Sequence, residues 1–211
     1  VVPSVLRAFA ERFSQWGFEP RALTPVYGLS EASLAVTFTP IGCGFHSERF
    51  DRRALAEQGL AVPDSEGIEL VSVGRALPGY RISVRNRTGK EQEQARVGRI
   101  WVQGPSLMRE YLNRPVSTAE VLQNGWLDTG DLGFCFGQEL FVTGRAKDVI
   151  IVRGQNHAPE ELERTLSAVP GVRTGCVAAV SHLPEGAEVE EVWFFVERRA
   201  VGPSRGTEEL E

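Results

Sequence analysis

Apolar residues recur at helical spacing over 4–16, where Val5, Leu6, Phe9, Phe13 and Trp16 share one face and Gly17 follows as a C-cap. That pattern predicts an amphipathic helix packed on a larger body. An extended stretch at 22–27 leads to Gly28, and the run LAVTF at 34–38 reads as a buried strand. Residues 40–68 break the rhythm. Gly42, Gly44, Gly59, Pro63 and Gly67 surround one short helical pattern at 51–58, as expected of an irregular insertion. From Leu70 the period becomes two. LVSV at 70–73, then Tyr80, Ile82 and Val84 alternating with Arg81, Ser83 and Arg85, then RIWVQG at 99–104, predict strands, with turns at Pro78-Gly79 and Thr88-Gly89.

Further along, Ser117 with Glu120 three residues later has the form of a capping box for a helix reaching Leu122. Strands near 132–136 and 139–143 flank Gly137-Gln138 as a hairpin. After a short apolar run at 149–152, Pro159 opens a helix that carries Leu162, Leu166 and Val169 at helical spacing. Strands at 176–180 and 192–196 follow, and the polar stretch from Gly202 is expected to fray.

The length of 211 residues suits one large domain or two small ones, and 42% hydrophobic against 24% charged residues is an ordinary globular balance. No apolar run approaches the ~20 residues that cross a bilayer, so the sequence predicts no membrane span. Residues 1–147 carry 17 Lys and Arg against 16 Asp and Glu, whereas 148–211 carry 6 against 12. Neither part has the basic footprint of a nucleic-acid protein, so no nucleic-acid partner is expected. Only Lys90 and Lys147 are lysines, which limits any lysine-dependent chemistry. Position 1 is Val and the single methionine is Met108, so the chain is expected to be a processed, trimmed or excised piece. Cys43, Cys135 and Cys176 lack C-x-x-C or zinc spacing and read as buried thiols of a reducing compartment. With no leader-like segment at its start, the chain is expected in the cytoplasm.

Three stretches join a tight glycine turn to a carboxylate or a cation: YGLSE at 27–31, WLDTGDL at 126–132 and GRAKD at 144–148. Each alone is equally well a plain turn. Together they supply the parts of a nucleotide site. Tyr27 offers an aromatic face for a purine, Gly28 permits close backbone approach, Ser30 can donate to a phosphate oxygen, and Glu31 can hold Mg2+. Asp131 suits the two hydroxyls of a ribose, and Arg145 can donate to the same sugar or to a phosphate. His157 reads as a turn or capping residue, His46 and His182 have no partner at useful spacing, and Glu160, Glu161 and Glu163 read as a solvated helix start. The acidic run at 185–191 reads as a solvated loop.

In this order the segments resemble a known family. YGLSEASL, GRIWVQGPSLMREYL, GWLDTGDLGF and GRAKDVIIVRGQNHAPEELE resemble four successive motifs of the adenylate-forming (AMP-binding) superfamily. The form of LAVTF, LVSVGRALPG and RGQNHAPEELE, with the insertion between the first two, resembles the fatty acyl-AMP ligases most. The resemblance implies an α/β fold: the end of the large N-terminal adenylation domain over 1–147 with a β-rich lobe, a hinge, then an incomplete, small α+β C-terminal mobile subdomain over 148–211. It also implies ATP, AMP and Mg2+ as cofactors, a fatty acid or other carboxylate as substrate, and an acyl carrier protein as acceptor in preference to CoA. Residue by residue, Tyr27 would stack on adenine, Ser30 contact phosphate, Glu31 bind Mg2+, Asp131 and Arg145 hold the ribose, and Lys147 stand at the hinge, with Gly28 among the residues that form the nucleotide site.

Departures matter as well. Only 26 residues precede Tyr27, leaving no counterpart of the upstream phosphate loop, and no lysine follows Lys147 to serve in adenylation. No catalytic residue is therefore assigned within the chain, and it is expected to be inactive alone. Thr88-Gly89-Lys90 superficially resembles the late lysine segment but falls where a turn is expected. Arg99 stands where the pattern is acidic, and Glu110 where it has Gly before Tyr111. An acyl-CoA synthetase, and a non-catalytic remnant or interaction module with the same fold, are the competing readings.

Overall fold

The computed structural model describes residues 2–152, 155–182 and 191–199. The polar tail from Gly202 and positions 185–190 of the acidic run lie outside the described residues. The chain divides into two compact units, Val1–Lys147 and Asp148–Glu211.

The first unit opens with helix α1, Pro3–Ser14. Gly17 at φ +82° closes it: the Phe18 N–H reaches back to the Phe13 carbonyl at 3.2 Å and the Gly17 N–H to Ser14 at 2.9 Å, the paired bonds of a left-handed C-terminal cap. The buried residues of α1 are Pro3 and Ala10, whereas Val5, Phe9 and Trp16 are exposed at 62%, 43% and 67%. The face expected to pack is thus only partly covered; Phe9 and Phe13 instead pack on each other and on Phe18 and Trp16.

Short strands β1 (Val26–Tyr27) and β2 (Thr37–Phe38) pair antiparallel. The expected strand at 34–38 therefore begins late, because residues 30–33 form a tight turn that leaves Leu34 exposed while burying Val36 and Thr37. The stretch expected to be an irregular insertion holds a strand. Antiparallel β3 (Ser47–Phe50) and β4 (Ile68–Val71) enclose a helical turn at Ala54–Gln58. SERF has no alternation to betray it. What fixes it is Phe50, fully buried edge-on to the stacked rings of Phe134 and Phe141 at 5.1 and 5.5 Å.

Strand β5 (Arg75–Ala76) adds to β2. The larger sheet comprises β6 (Arg81–Arg85), β7 (Gly98–Gln103), β8 (Leu122–Gln123), β9 (Trp126–Phe136) and β10 (Glu139–Arg145), ordered β10-β9-β7-β6 with β8 also on β9. Both β6–β7 and β9–β10 are antiparallel, and Gly137 turns the second hairpin as expected. Ile100, Val102, Leu127 and Leu140 from this sheet meet Tyr27, Ala32, Val36 and Val73 in one core cluster. Helix α2, Pro115–Val121, starts two residues before Ser117, so that residue is interior and no side chain caps the helix. Pro115 at the first helical position, with its φ already fixed, sets the start instead.

In the second unit β11 (Ile150–Val152) pairs with β12 (Gln155–His157), helix α3 (Pro159–Ser167) follows with Pro at its start, and β13 (Val172–His182) pairs antiparallel with β14 (Glu191–Arg198). His157 is thus a strand residue opposite Ile150 and not a turn residue. Glu163 is no solvated helix start, since its carboxylate accepts the Ala179 N–H of β13 at 3.0 Å and ties α3 to the hairpin. The molecule is mixed α/β, and no helix among the described residues is long and apolar enough to cross a membrane. The cysteines are free but not buried: Cys43 is exposed, and Cys135 and Cys176 are half-buried.

Candidate nucleotide site

The three glycine-turn stretches supply one hydrogen-bonded cluster. Tyr27, at the end of β1, is 9% exposed, with its ring in the core cluster. Its hydroxyl donates to Asp131 Oδ2 at 2.7 Å, and Arg145 Nε donates to Asp131 Oδ1 at 3.1 Å. Burial, together with the neighbouring Asp131 carboxylate, pushes the Tyr27 hydroxyl well above its ordinary value, so it remains a donor. The Asp131 side chain is 14% exposed and that of Arg145 68%, so the cluster has a buried floor and an open rim. Each carboxylate oxygen receives one of these two protein donors and retains a lone pair for a further hydroxyl.

Asp131 is held by its own strand. Thr129 Oγ1 donates to the Ile100 carbonyl at 2.8 Å and accepts the Asp131 N–H at 3.1 Å, while the Gly130 carbonyl accepts the Ala146 N–H at 2.9 Å.

Ser30 and Glu31 lie on the tight turn after Gly28. A Cβ at Gly28 would sit 1.6 Å from the Leu34 carbonyl oxygen, so the close approach that glycine permits is by the chain's own main chain. The Ser30 hydroxyl has no protein partner among the described residues and is exposed. Glu31 is clasped by the segment after β7. Its carbonyl accepts the Met108 N–H at 2.6 Å and its Oε1 accepts the Tyr111 hydroxyl at 2.7 Å, a bond that, with burial, raises Tyr111 to about 12. Ser106 Oγ donates to the adjacent Ala32 carbonyl at 2.8 Å. Sequence reasoning assigned this segment no role at the site; only the fold shows it gripping the Glu31 turn.

Among the described residues no group of three or more His, Cys, Asp or Glu could hold a metal by itself. Glu31 alone fits Mg2+, which binds through one or two carboxylates and takes its remaining ligands from phosphate and water. Lys147 closes the first unit, is exposed, and makes no hydrogen bond or ion pair among the described residues. Away from this cluster, His46 does have partners: Nδ1 lies 2.7 Å from Glu139 and Nε2 3.0 Å from Glu48. Sequence spacing missed Glu139 because β10 brings it up from far along the chain, and it overlooked Glu48 two residues away.

Residues 1–112 match the family model of the AMP-binding enzymes. This chain belongs to that family. Its curated relatives include a Caulobacter vibrioides protein named "Putative acyl-CoA synthetase", 41% identical over 92% of this chain and 35% of its own length. The long-chain-fatty-acid–AMP ligase FadD26 of Mycobacterium tuberculosis is 35% identical over 86% of this chain and 34% of its own length. The chain thus spans about a third of the curated relatives it matches. Among solved structures, one from studies of fatty acyl-adenylate ligases of E. coli and L. pneumophila superposes with TM-score 0.85 at 36% identity, covering 96% of this chain and 36% of that one. The McyG A-PCP structure with phenylalanyl-adenylate follows at TM-score 0.75 and 28% identity, covering 95% and 29%. Fatty acyl-AMP ligases are therefore among the homologues of this AMP-binding chain over most of its length.

Proposed function

We propose that this chain is the later part of an ATP-dependent fatty acyl-AMP ligase. The observation that carries the reading is the Tyr27–Asp131–Arg145 cluster, which joins three motif segments at one carboxylate. In the reaction a fatty-acid carboxylate oxygen attacks the α-phosphorus of ATP, the bond to the β-phosphate oxygen breaks, and pyrophosphate leaves. A thiol then attacks the acyl carbon, AMP departs, and the thiol proton passes to solvent. The thiol is the arm of an acyl carrier protein. CoA is the alternative, favoured by the name of the Caulobacter relative.

Catalysis of this kind is mostly positioning and charge neutralisation. Asp131 accepts the ribose hydroxyls and Arg145 donates to the sugar, while Tyr27 lies against adenine and fixes Asp131. Ser30 donates to a phosphate oxygen, and Glu31, oriented by Tyr111, would hold Mg2+. That ion supplies neutralisation of phosphate charge when bound. Residues 1–147 are the end of the large adenylation domain, 148–211 belong to the mobile C-terminal subdomain, and Lys147 is the hinge between them. The enzyme is cytoplasmic.

The 211-residue chain alone is inactive in this reading; fatty-acid-dependent pyrophosphate release by the isolated chain with ATP and Mg2+ overturns that. In the full-length parent, Asp131→Ala raises KM for ATP and leaves KM for the fatty acid unchanged. An unaltered KM for ATP refutes the ribose role. Thioester formation, assayed with carrier protein and CoA side by side, separates the two acceptors.

A further inference from the structure

On the β7 side of its strand Asp131 sits where the sheet ladder leaves the main chain unpaired, while on the β10 side it faces Arg145. In the β7–β9 pairing Trp101 faces Asp128 and Arg99 faces Leu132, so Thr129, Gly130 and Asp131 share the space opposite Ile100. On its other side the β9–β10 register also slips, Val142 facing Gly133 but Gly144 facing Leu132. Bulges of this sort re-aim side chains, and side-chain hydrogen bonds then add to what the remaining ladder bonds hold.

Asp128 makes such a bond. Its Oδ1 accepts the Gly130 N–H at 3.1 Å, closing a turn in which Gly130 adopts φ +77°. Arg99 grips the same carboxylate at two points, Nε to Oδ1 at 3.1 Å and Nη2 to Oδ2 at 3.0 Å. The Asp128 side chain is 13% exposed, so without Arg99 its charge would be poorly solvated where it stands and would turn outward, releasing Gly130. Arg99 is also the position at which the sequence departs from an acidic pattern, and its partner lies three residues before Asp131.

We propose that the Arg99–Asp128 pair is a positioning device for Asp131 and thereby sets how strongly the site reads ribose hydroxyls. The proposal rests on the ribose-binding reading of Asp131. Arg99 and Asp128 touch no substrate; they act through the Gly130 turn. Because the Asp128 side chain is only 13% exposed, removing Arg99 costs folding stability as well as geometry, and the test must separate the two.

The test uses the full-length parent and compares kcat/KM for ATP with that for 2′,3′-dideoxy-ATP on the same preparation, so that any loss of folded protein cancels in the ratio. Wild type prefers ATP, and Asp131→Ala removes the preference. Arg99→Ala and Asp128→Asn reduce it roughly tenfold, through KM for ATP, because displacements of about an ångström carry effects of that order or larger. Arg99→Lys, keeping the charge but not the two-point grip, falls between. If Asp131→Ala abolishes the preference while Arg99→Ala and Asp128→Asn leave it within about twofold of wild type, the pair is merely structural and the proposal is overturned. If Asp131→Ala itself leaves the preference intact, the ribose reading falls and takes the proposal with it.

Discussion

Gly28→Ala is the sharpest single perturbation of the Ser30–Glu31 turn. The added Cβ would stand 1.6 Å from the Leu34 carbonyl oxygen, 2.6 Å from its carbon and 2.7 Å from Ala35 Cα, whereas real Cβ contacts essentially never fall below 3.0 Å. All three obstacles are main chain, which no side-chain rotation can relieve. The two segments must part by about 1.4 Å, the difference between 1.6 and 3.0 Å. That strains the Leu34 N–H bond to the Ala32 carbonyl at 2.9 Å and the Val36 N–H bond to the Tyr27 carbonyl at 2.8 Å. Overpacking costs ~1–3 kcal/mol and each of the two weakened main-chain bonds about 0.5–1.5 kcal/mol, so a loss of roughly 2–6 kcal/mol is expected. Urea denaturation followed by tryptophan fluorescence measures it. In the parent, fatty-acid-dependent ATP–pyrophosphate exchange should fall by roughly a hundredfold, the scale expected when catalytic groups move by about an ångström. A variant within about 0.5 kcal/mol of wild type and with unchanged KM for ATP would refute the reasoning.

Two further outcomes follow from the same structure. Phe50→Ala, which empties the centre of the Phe134, Phe136 and Phe141 cluster, should cost about 3–5 kcal/mol in urea denaturation; a loss under about 1 kcal/mol would mean that β3 is not welded to the larger sheet. His46 should make stability pH-dependent. Its hydrogen bond to Glu139, then that to Glu48, raises it above 6.5 against the opposing effect of burial. Burial opposes the lowering of Glu139, yet the His46 and Ser72 bonds, with Arg75 nearby, carry it below 4.5. The histidine contribution is therefore complete below pH 6.5 and lost as pH rises through its folded value, while that of Glu139 is present above pH 4.5 and lost as pH falls through its folded value. The stability difference between wild type and His46→Ala should peak between those limits and decline toward alkali as the charge-linked part is lost; a pH-independent difference contradicts the pair.

The alternating positions of β6 and β7, the Pro159 helix start, the Gly17 cap and the Gly137 hairpin were legible because each depends on neighbours within a few residues. The same holds for the glycine-turn stretches that mark Tyr27, Asp131 and Arg145. Where contacts came from far along the chain, sequence pattern failed. SERF at β3 is a strand because Phe50 fits a hole lined by Phe134 and Phe141, and His46 is paired because β10 brings up Glu139. The Ser117–Glu120 motif failed for the opposite reason: a local rule was outweighed by another local one, the fixed φ of Pro115.

The sequence by itself determined which polar groups stand beside tight turns, since such turns need glycine. The tertiary structure decided what those residues do to one another. Read from the sequence, Tyr27 offers a face for a purine; what the fold shows is a donor that pins Asp131 from 104 positions away. Gly28 was room for a ligand, and the fold fills that room with the Leu34 carbonyl. Such roles depend on distances between strands set by packing of the whole core, and pattern along one strand carries no record of its neighbour.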